Sequence, residues 1–246
     1  MTWAFVAVAL GLMLLKMGAW LAVVRPHSDL WLNVVYVVAT VLMLWSYGAA
    51  MFSTPTGRRP IDERAERDAD QAPVTRYCER CDCEKTASVH HCSVCKRCVF
   101  RMDHHCPWTN NCVGWSNKKL FLLFLVYTSL SCLVFNAMAS PLAWSLSGPP
   151  HWLLKAAWAL SLGIGLLLAG YFVFHVWLLR QGKTTLEFLS GKRGELTGCS
   201  LRHNATVYFG RDVWNWWLPV TPALDPAMGG RRHHEQEPEM LQLVVE

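Results

Sequence analysis

Charged residues are almost absent from four long stretches of this 246-residue chain. The four stretches are residues 3–24, 31–52, 120–139 and 152–179. The exceptions are Lys16 in the first stretch and Lys155 and His175 near the two ends of the last. Each stretch reaches the roughly 20 residues that a helix needs to cross about 30 Å of hydrocarbon. Such runs are rarely buried soluble helices, so the sequence predicts four membrane-spanning helices and argues against a purely soluble protein.

The first apolar stretch also lacks the marks of a cleaved signal peptide. No basic residue precedes it, and no small-x-small cleavage site follows it. A retained helix is therefore favoured. Lys16 lies inside this stretch, and a charge within a membrane span is by default a functional candidate. The simpler interpretation, which we favour, is that its side chain reaches the interface or faces the helix bundle.

Basic residues are missing from the connection at residues 140–151, but 12 of the 23 Lys and Arg lie at residues 53–119 and eight lie from residue 180 onwards. The positive-inside rule therefore places the Cys-rich middle and the C-terminal region in the cytosol, and four spans then place the N-terminus there too. The net charge of +5 is read as topology and attraction to anionic lipids. Nucleic-acid binding is not expected, because the basic residues form no evident helix for reading a groove.

The rest of the chain divides by composition. We expect transmembrane helices 1 and 2 at 1–52 and helices 3 and 4 at 120–180, separated by a cytosolic linker at 53–75 and a cysteine-rich domain at 76–119. One helical turn is possible in the linker at 61–67. The C-terminal region at 181–224 includes "VWNWWLP", whose Trp214, Trp216 and Trp217 suit the membrane interface better than a soluble core. Residues 225–246 are predicted to be disordered, with His233 and His234 in solvent.

Eight of the ten cysteines fall within residues 78–112. On the reducing side of a membrane disulfides do not persist, so metal binding or catalysis explains the cluster better. Cys-x-x-Cys pairs recur beside His-His-Cys runs, and structural zinc prefers four Cys and His ligands. Two closed zinc sites would use eight ligands, but the segment offers eight Cys and four His. Four candidates are left over, and spacing alone does not say which.

The run "YCERC…HHCSVCKRCVFRMDHHCPWTNNCVGWSNKKLF" closely resembles the cysteine-rich domain of the DHHC protein S-acyltransferases, the palmitoyltransferases. The resemblance includes the Asp-His-His-Cys motif at residues 103–106 and the layout of four spans with this module between the second and third. "TTLE" at residues 184–187 resembles the family's TTxE motif, and Asn204 resembles the Asn of its C-terminal aromatic motif. The implied fold is an α-helical membrane protein with a small cytosolic two-zinc domain.

The resemblance implies two structural zinc ions in interleaved sites. The ligands of the first site would be Cys78, Cys81, His91 and Cys98, and those of the second would be Cys92, Cys95, His105 and Cys112. Cys83 has no counterpart in the family and is read as a spare thiol. Asp103, His104 and Cys106 would remain unligated and carry out the chemistry.

The implied reaction is a two-step acyl transfer. Cys106 would be the nucleophile, His104 would take its proton, and Asp103 would orient the imidazole. Fatty acyl-CoA would be the donor, and cysteines of cytosolic or membrane substrate proteins would be the acceptors. Further implied contacts are an acyl-facing wall of Trp108 and Phe121, a brace on Asp103 from Thr184 or Thr185, and CoA phosphate contacts from Lys85 and His90. Lys85 and His90 could equally be solvated loop residues.

Two family motifs are altered in this chain. The family's Asp-Pro-Gly after the second span is replaced by Thr54-Pro55-Thr56, and its Lys-Pro-x-Arg is replaced by "KTAS" at residues 85–88. CoA affinity and linker geometry are the properties these changes concern. Two rival functions are a membrane-anchored zinc adaptor and a pseudoenzyme, neither of which needs an acylated Cys106 or an apolar cavity beneath it. The family suggests an endomembrane, Golgi or endoplasmic reticulum, with the plasma membrane as the alternative. The oligomeric state stays open.

Overall fold

A computed structural model of the chain describes residues 2–55, 76–86, 88–145 and 151–224. The predicted helical architecture, with a cysteine-rich module between the second and third long helices, is confirmed. Most of the predicted linker, including its helical turn at 61–67, lies outside the described residues, as does the tail at 225–246.

Four of the helices are long and apolar enough to cross a membrane. Helix α1 (Thr2–Ala19) continues through a short π-helical segment (Trp20–Val24) and a 3-10 turn (Arg25–His27). The other three long helices are α2 (Leu30–Phe52), α3 (Lys118–Ser145) and α4 (His151–Gln181). Helix α3 begins two residues before the predicted span, so it includes Lys118 and Lys119, both with no exposed surface. Their burial points to partners within the protein.

Helix α3 is the central element of the bundle. In its most apolar window 72% of the residues are buried, against 22% to 39% in the other three helices. Helices α2 and α4 pack against it, α1 packs mainly against α4, and large apolar side chains such as Leu14 and Leu167 stay exposed. In hydrocarbon such a surface carries no penalty, which is consistent with membrane-spanning helices.

Lys16 faces the bundle. Its ammonium group donates hydrogen bonds to Ser131 Oγ at 2.7 Å and to Cys132 Sγ at 3.7 Å, both on α3. Thr40 of α2 joins the same cluster through a 2.9 Å hydrogen bond to Ser131. The simpler interpretation of Lys16 offered two positions, at the membrane surface or facing the helix bundle. The side chain faces the bundle.

The cysteine-rich module consists of three antiparallel hairpins. They pair β1 (Arg76–Cys78) with β2 (Cys83–Lys85), β3 (Val89–Cys92) with β4 (Arg97–Phe100), and β5 (His104–Cys106) with β6 (Asn111–Val113). Each second strand is preceded by a residue with positive φ: Asp82, Lys96 and Asn110. These three positions are spaced by fourteen residues (82 to 96 to 110), so the hairpins repeat with that period. A left-handed residue costs least as Asn, Asp or Gly, and Lys96 is the exception.

The C-terminal region packs on the end of the bundle where α4 ends. It contains α5 (Thr185–Leu189), α6 (Leu201–Phe209) and a tight turn (Val213–Trp217). Buried Asn204 donates to the Leu179 carbonyl at 2.8 Å and so caps the end of α4. Fully buried Arg101 of the hairpin module reaches Glu195 at 2.8 Å and Tyr208 at 3.1 Å. These contacts hold the cysteine-rich module and the C-terminal region together.

The three tryptophans of the C-terminal region do not behave alike. Trp214 and Trp217 are 87% and 69% exposed, as an interfacial role requires. Trp216 instead packs on Phe209 and donates to the Gly210 carbonyl at 2.9 Å. Tyr127 of α3 donates to the Trp217 carbonyl, which fixes the turn against the third helix.

Close approach of α3 and α4 at Gly165 gives a test of the bundle. A Cβ atom at Gly165 would lie 2.8 Å from Cys132 Cβ, whereas one at Gly163 would meet nothing within 4 Å. Gly165→Ala is expected to destabilise the protein by about 1–3 kcal/mol through overpacking. Gly163→Ala should be neutral or slightly stabilising, because Ala favours helix. Thermal unfolding of the two variants in detergent measures the difference, and equal midpoints would contradict this packing.

Candidate active site

Two groups of Cys and His side chains meet between adjacent hairpins. The first is Cys78, Cys81, His91 and Cys98, and the second is Cys92, Cys95, His105 and Cys112. Within each group the ligand atoms all lie within 4.8 Å of one another. Each group takes a Cys-x-x-Cys turn from one hairpin and a cross-strand His–Cys pair from the next. The structure thus assembles the two interleaved sets that the resemblance implies.

The donor atoms fit tetrahedral zinc. In the first group His91 Nδ1 lies 3.2 Å from Cys81 Sγ and 3.6 Å from Cys78 Sγ. In the second, His105 Nδ1 lies 3.3 Å from Cys95 Sγ and 3.8 Å from Cys112 Sγ. Zinc bonds of about 2.0–2.1 Å to nitrogen and 2.3 Å to sulfur predict N···S separations of roughly 3.6 Å. The match supports Nδ1 as the ligand atom in both histidines.

The fourteen-residue period explains why Cys106 stands apart. Cys106 follows Cys78 and Cys92 at that spacing (78 to 92 to 106), and so it begins a third turn of the same kind. The position that would complete the pair holds Thr109, where the first two turns have Cys81 and Cys95. No further hairpin follows to supply a His and a Cys in the described part of the chain. Cys106 therefore keeps the turn geometry of a zinc ligand without belonging to either group.

Asp103 and His104 are placed beside this free thiol. His104 Nδ1 lies 2.9 Å from Asp103 Oδ2, which fixes Nδ1 as a protonated nitrogen and leaves Nε2 for Cys106. Asp103 has no exposed surface. It accepts further hydrogen bonds from Lys118 Nζ at 2.7 Å and from the Thr185 hydroxyl and backbone N–H at 2.8 and 3.1 Å. Four hydrogen bonds thus stabilise the ionised form of the Asp103 carboxylate.

The electrostatics suit nucleophilic catalysis. Burial acts to raise the pKa of Asp103, but the Lys118 charge and the His104 hydrogen bond hold it well below its ordinary value. Burial of His104 acts to lower its pKa, but hydrogen bonding to Asp103 and Cys106 raises it to about 9. For Cys106, hydrogen bonds from His104 and Thr109 outweigh burial and lower the pKa of the thiol. A thiolate beside an imidazolium is the reactive form of such a pair.

An apolar cavity in the helix bundle is lined at one place by Cys106. Its volume is about 730 Å³, and both Trp108 and Phe121 line it together with Cys106. Lys16 and Cys132 also line it. Phe121 and Cys132 are eleven positions apart in α3, so the cavity follows that helix for about 16 Å. Cys106 thus lines the part of the cavity near Phe121, and the polar cluster around Lys16 lines the part near Cys132.

The remaining predicted contacts separate into two kinds. Thr185 braces Asp103, whereas Thr184 caps α5 by accepting a 3.2 Å hydrogen bond from the Glu187 backbone. Of the two alternatives for the brace, the structure selects Thr185, and Thr184 acts only on the helix that carries it.

Lys85 and His90 do not line the cavity. Burial first, and then the charges of Arg76, Lys192 and Lys85, lower the pKa of half-buried His90.

Three residues at the site were missed by sequence reasoning. Lys118 precedes the third predicted span, and a lysine at that place in the sequence gives no sign of an ion pair. Asn111 donates to the Ala50 and Ser53 carbonyls at 3.0 and 2.7 Å and so ties the third hairpin to the end of α2, which no local pattern indicates. His175 packs against His104 with ring centroids 5.9 Å apart. For His175 a signal existed, since a titratable residue within a span is itself a functional hint.

Comparison with known proteins gives the same family. Residues 72–192 match the family model described as DHHC palmitoyltransferase. The chain is 32% identical to palmitoyltransferase ZDHHC15 of Xenopus laevis, over 82% of its own length and 72% of the relative's. The chain belongs to the DHHC palmitoyltransferase family. It is also similar to DHHC relatives from human, palmitoyltransferase ZDHHC2 at 33% identity, and from Aspergillus fumigatus, palmitoyltransferase pfa3 at 36%.

The coverage of these DHHC relatives differs. The match takes in 77% of this chain and 62% of the human protein, but 69% of this chain and 36% of the fungal one. The matched part includes the hairpin module and the start of the C-terminal region in the family model.

The two ligand groups of this DHHC chain predict a zinc content of two per molecule. Cys98→Ser and Cys112→Ser each remove the corresponding ligand from one group, so each is expected to lower the content to one, because structural zinc needs its four ligands. Cys106→Ser is the matched control, since it changes a thiol of the same module outside both groups. Elemental analysis of purified protein gives the answer. Loss of zinc on changing Cys106 would contradict the assignment.

Proposed function

We propose that this protein is an S-acyltransferase that moves a long-chain fatty acyl group, palmitoyl in the first place, from acyl-CoA to cysteine thiols of substrate proteins. The observation that carries the proposal is the coincidence of a free thiol, a His–Asp pair and an apolar cavity that the thiol itself lines. An adaptor or a pseudoenzyme would need neither the cavity nor the pairing. The roles assigned below to Cys106, His104 and Asp103 are part of this proposal.

The first half-reaction acylates Cys106. The thiol proton passes to His104 Nε2 while the sulfur forms a bond to the acyl carbonyl carbon of the thioester. The carbon–sulfur bond to CoA then breaks, and the CoA thiolate takes the proton from His104. Asp103 holds the imidazole in the required tautomer and stabilises its positive form, as in other triads. The Thr109 hydrogen bonds stabilise Cys106 as a thiolate.

The second half-reaction transfers the chain. A substrate cysteine gives its proton to His104, its sulfur attacks the Cys106 thioester, and Cys106 leaves as a thiolate that takes the proton back. The proton count is unchanged over the cycle, so no other reactant is needed. The double displacement predicts ping-pong kinetics.

The cavity gives the acyl chain a place to stay between the two steps. Moving such a chain into water would cost roughly 0.8 kcal/mol for every methylene group, so a chain attached to Cys106 needs an apolar enclosure. Trp108 and Phe121 would hold its first carbons. Zinc, when bound in the two Cys and His groups, would cross-link the hairpins. Each group closes its own coordination sphere, so its role is structural, and the chain's own residues carry the chemistry.

CoA needs cationic partners for its phosphates. We assign them to the group of basic residues around His90, which includes Lys85, Arg76 and Lys192. In this arrangement Arg76 and Lys192 compensate for the basic residue that "KTAS" lacks. The orientation proposed is that the hairpin module and both ends of the chain face the cytosol, where acyl-CoA is available, with the protein in an endomembrane. Exposed Trp214 and Trp217 would lie at the lipid interface.

The decisive experiment uses detergent-purified protein and alkyne-tagged palmitoyl-CoA. We expect a label on the wild type that hydroxylamine removes, and no label on Cys106→Ala or Cys106→Ser. Loss of the nucleophile removes the thioester itself, so the expected effect is complete rather than graded.

The control for folding is a content of two zinc ions per molecule in the wild type, Cys106→Ala and Cys106→Ser. A zinc-loaded wild type that takes no label would favour the adaptor or pseudoenzyme function. A label that persists in Cys106→Ala would place the nucleophile elsewhere. Transfer to a cysteine-containing peptide tests the second half-reaction separately.

The deep end of the cavity predicts the limit on chain length. Lys16→Ala removes side-chain volume there, so longer chains should fit. Two more buried methylenes contribute roughly 1.6 kcal/mol, which corresponds to a preference of about fifteenfold for stearoyl-CoA relative to the wild type's ratio. Competition between palmitoyl-CoA and stearoyl-CoA in Cys106 acylation measures that ratio. Lys155→Ala, an exposed lysine of α4 away from the cavity, should leave the ratio unchanged.

A further inference from the structure

His175 is a buried titratable residue for which the acyl transfer described above has no use. It lies in α4 and has no exposed surface. Neither ring nitrogen has a hydrogen-bond partner among the described residues. A buried polar group without a partner costs about 1–3 kcal/mol, and such groups in native proteins call for an explanation.

The surroundings of His175 connect it to the catalytic pair. Its Nδ1 atom lies 3.7 Å from Asp103 Oδ2, the oxygen that also receives the His104 hydrogen bond. Its ring packs edge-on against Tyr171 at 4.6 Å and Phe121 at 5.4 Å between centroids. Both of these aromatic residues line the acyl cavity. His175 therefore stands between the cavity wall and the carboxylate.

A third metal site is the first alternative. Asp103, His104 and His175 offer ligand atoms within 4.8 Å of one another. However, the fully buried Lys118 ammonium already lies 2.7 Å from Asp103 and neutralises its charge. A divalent cation would have to displace the Asp103–His104 hydrogen bond and sit beside that ammonium in a dry environment. The net charge of the group argues against it.

The hydrogen bonds of Asp103 suggest a different role. A carboxylate has about four lone-pair sites, and Asp103 fills four with Lys118, His104 and the two donors of Thr185. A fifth donor has no site to bind, so His175 stays at 3.7 Å, beyond hydrogen-bonding distance. If one of the four donors withdraws, a shift of less than about 1 Å brings His175 Nδ1 into range.

His104 is the donor that must move. It takes protons from two different thiols, Cys106 and the substrate cysteine, and returns them to two different leaving sulfurs. One fixed ring position cannot suit all four transfers equally.

We propose that His175 is a positioning residue for the acyl transfer, whose Nδ1–H donates to Asp103 Oδ2 whenever His104 turns away and so keeps the carboxylate in place. This inference rests on the proposed function, because it concerns the same reaction. It identifies the atom that matters as Nδ1 rather than the ring as a whole. It also explains why an imidazole, and not a hydrocarbon side chain, occupies this buried place in α4.

The test replaces the nitrogens while preserving the packing. His175→Phe keeps an aromatic ring against Tyr171 and Phe121 but has no donor. His175→Asn places an amide N–H close to the position of Nδ1, and His175→Gln places one close to Nε2. The measurement is the initial rate of Cys106 acylation by tagged palmitoyl-CoA over a range of concentrations. Zinc content and thermal midpoint are recorded for each variant.

The maximal rate is expected to fall about tenfold or more in His175→Phe, the size of effect typical of residues that orient a reacting group. The concentration for half-maximal rate should stay the same, since the cavity is unchanged. His175→Asn should recover most of the rate, and His175→Gln should not. His203→Phe, at an exposed position of α6, is the control for the substitution itself and should match the wild type.

The outcomes separate the two proposals. A wild type that takes no label contradicts the proposed function. A labelled wild type with an equally fast His175→Phe leaves that function intact and overturns the role of His175. Equal slowing in Phe, Asn and Gln variants would reduce His175 to packing, and recovery by Gln alone would contradict the Nδ1 assignment. If His175→Phe loses zinc, the comparison of Asn with Gln decides alone.

Discussion

A carboxylate buried without water stays ionised only if donors surround it, and the site is built around this requirement at Asp103. The donors come from separate parts of the chain: His104 from the hairpin module, Lys118 from the start of α3, and Thr185 from the segment after α4. Each contact also joins two elements, so the zinc module, the central helix and the C-terminal region meet at one carboxylate. Removing a single donor would leave charge unmatched in a dry place. The same interaction that orients the imidazole therefore also determines how the cysteine-rich module docks on the bundle.

The hairpin repeat explains how structure and chemistry share one motif. Two successive turns supply Cys-x-x-Cys pairs, and the next hairpin in each case supplies the His and Cys that complete the group. The third turn has Thr109 in place of the second cysteine. The Cys95 backbone N–H donates to the sulfur of Cys92 at 3.3 Å. Thr109, at the equivalent position of the third turn, donates to the sulfur of Cys106 in the same way. A turn suited to stabilising a metal-bound thiolate thus stabilises a free one.

The helix bundle contributes the apolar half of the site. Helix α3 begins with the Lys118 that binds Asp103, continues with Phe121 beside His104, and lines the cavity as far as Cys132. One helix therefore connects the charge that holds Asp103 in place to the inner part of the cavity.

The four apolar helices, the cysteine-rich module between the second and third, and the family are all evident in the amino-acid sequence. Long uncharged stretches and closely spaced Cys and His are local patterns. They can be recognised whatever the tertiary structure of the rest of the chain. The sequence alone left the ligand assignment open until a resemblance was used, since eight Cys and four His fit two zinc sites in several ways. The folded chain adds that Lys16 turns inward, that Thr185 rather than Thr184 braces Asp103, and that Lys118 and His175 face the same carboxylate. Those choices depend on contacts between residues tens of positions apart, for which a single sequence carries no periodic signal.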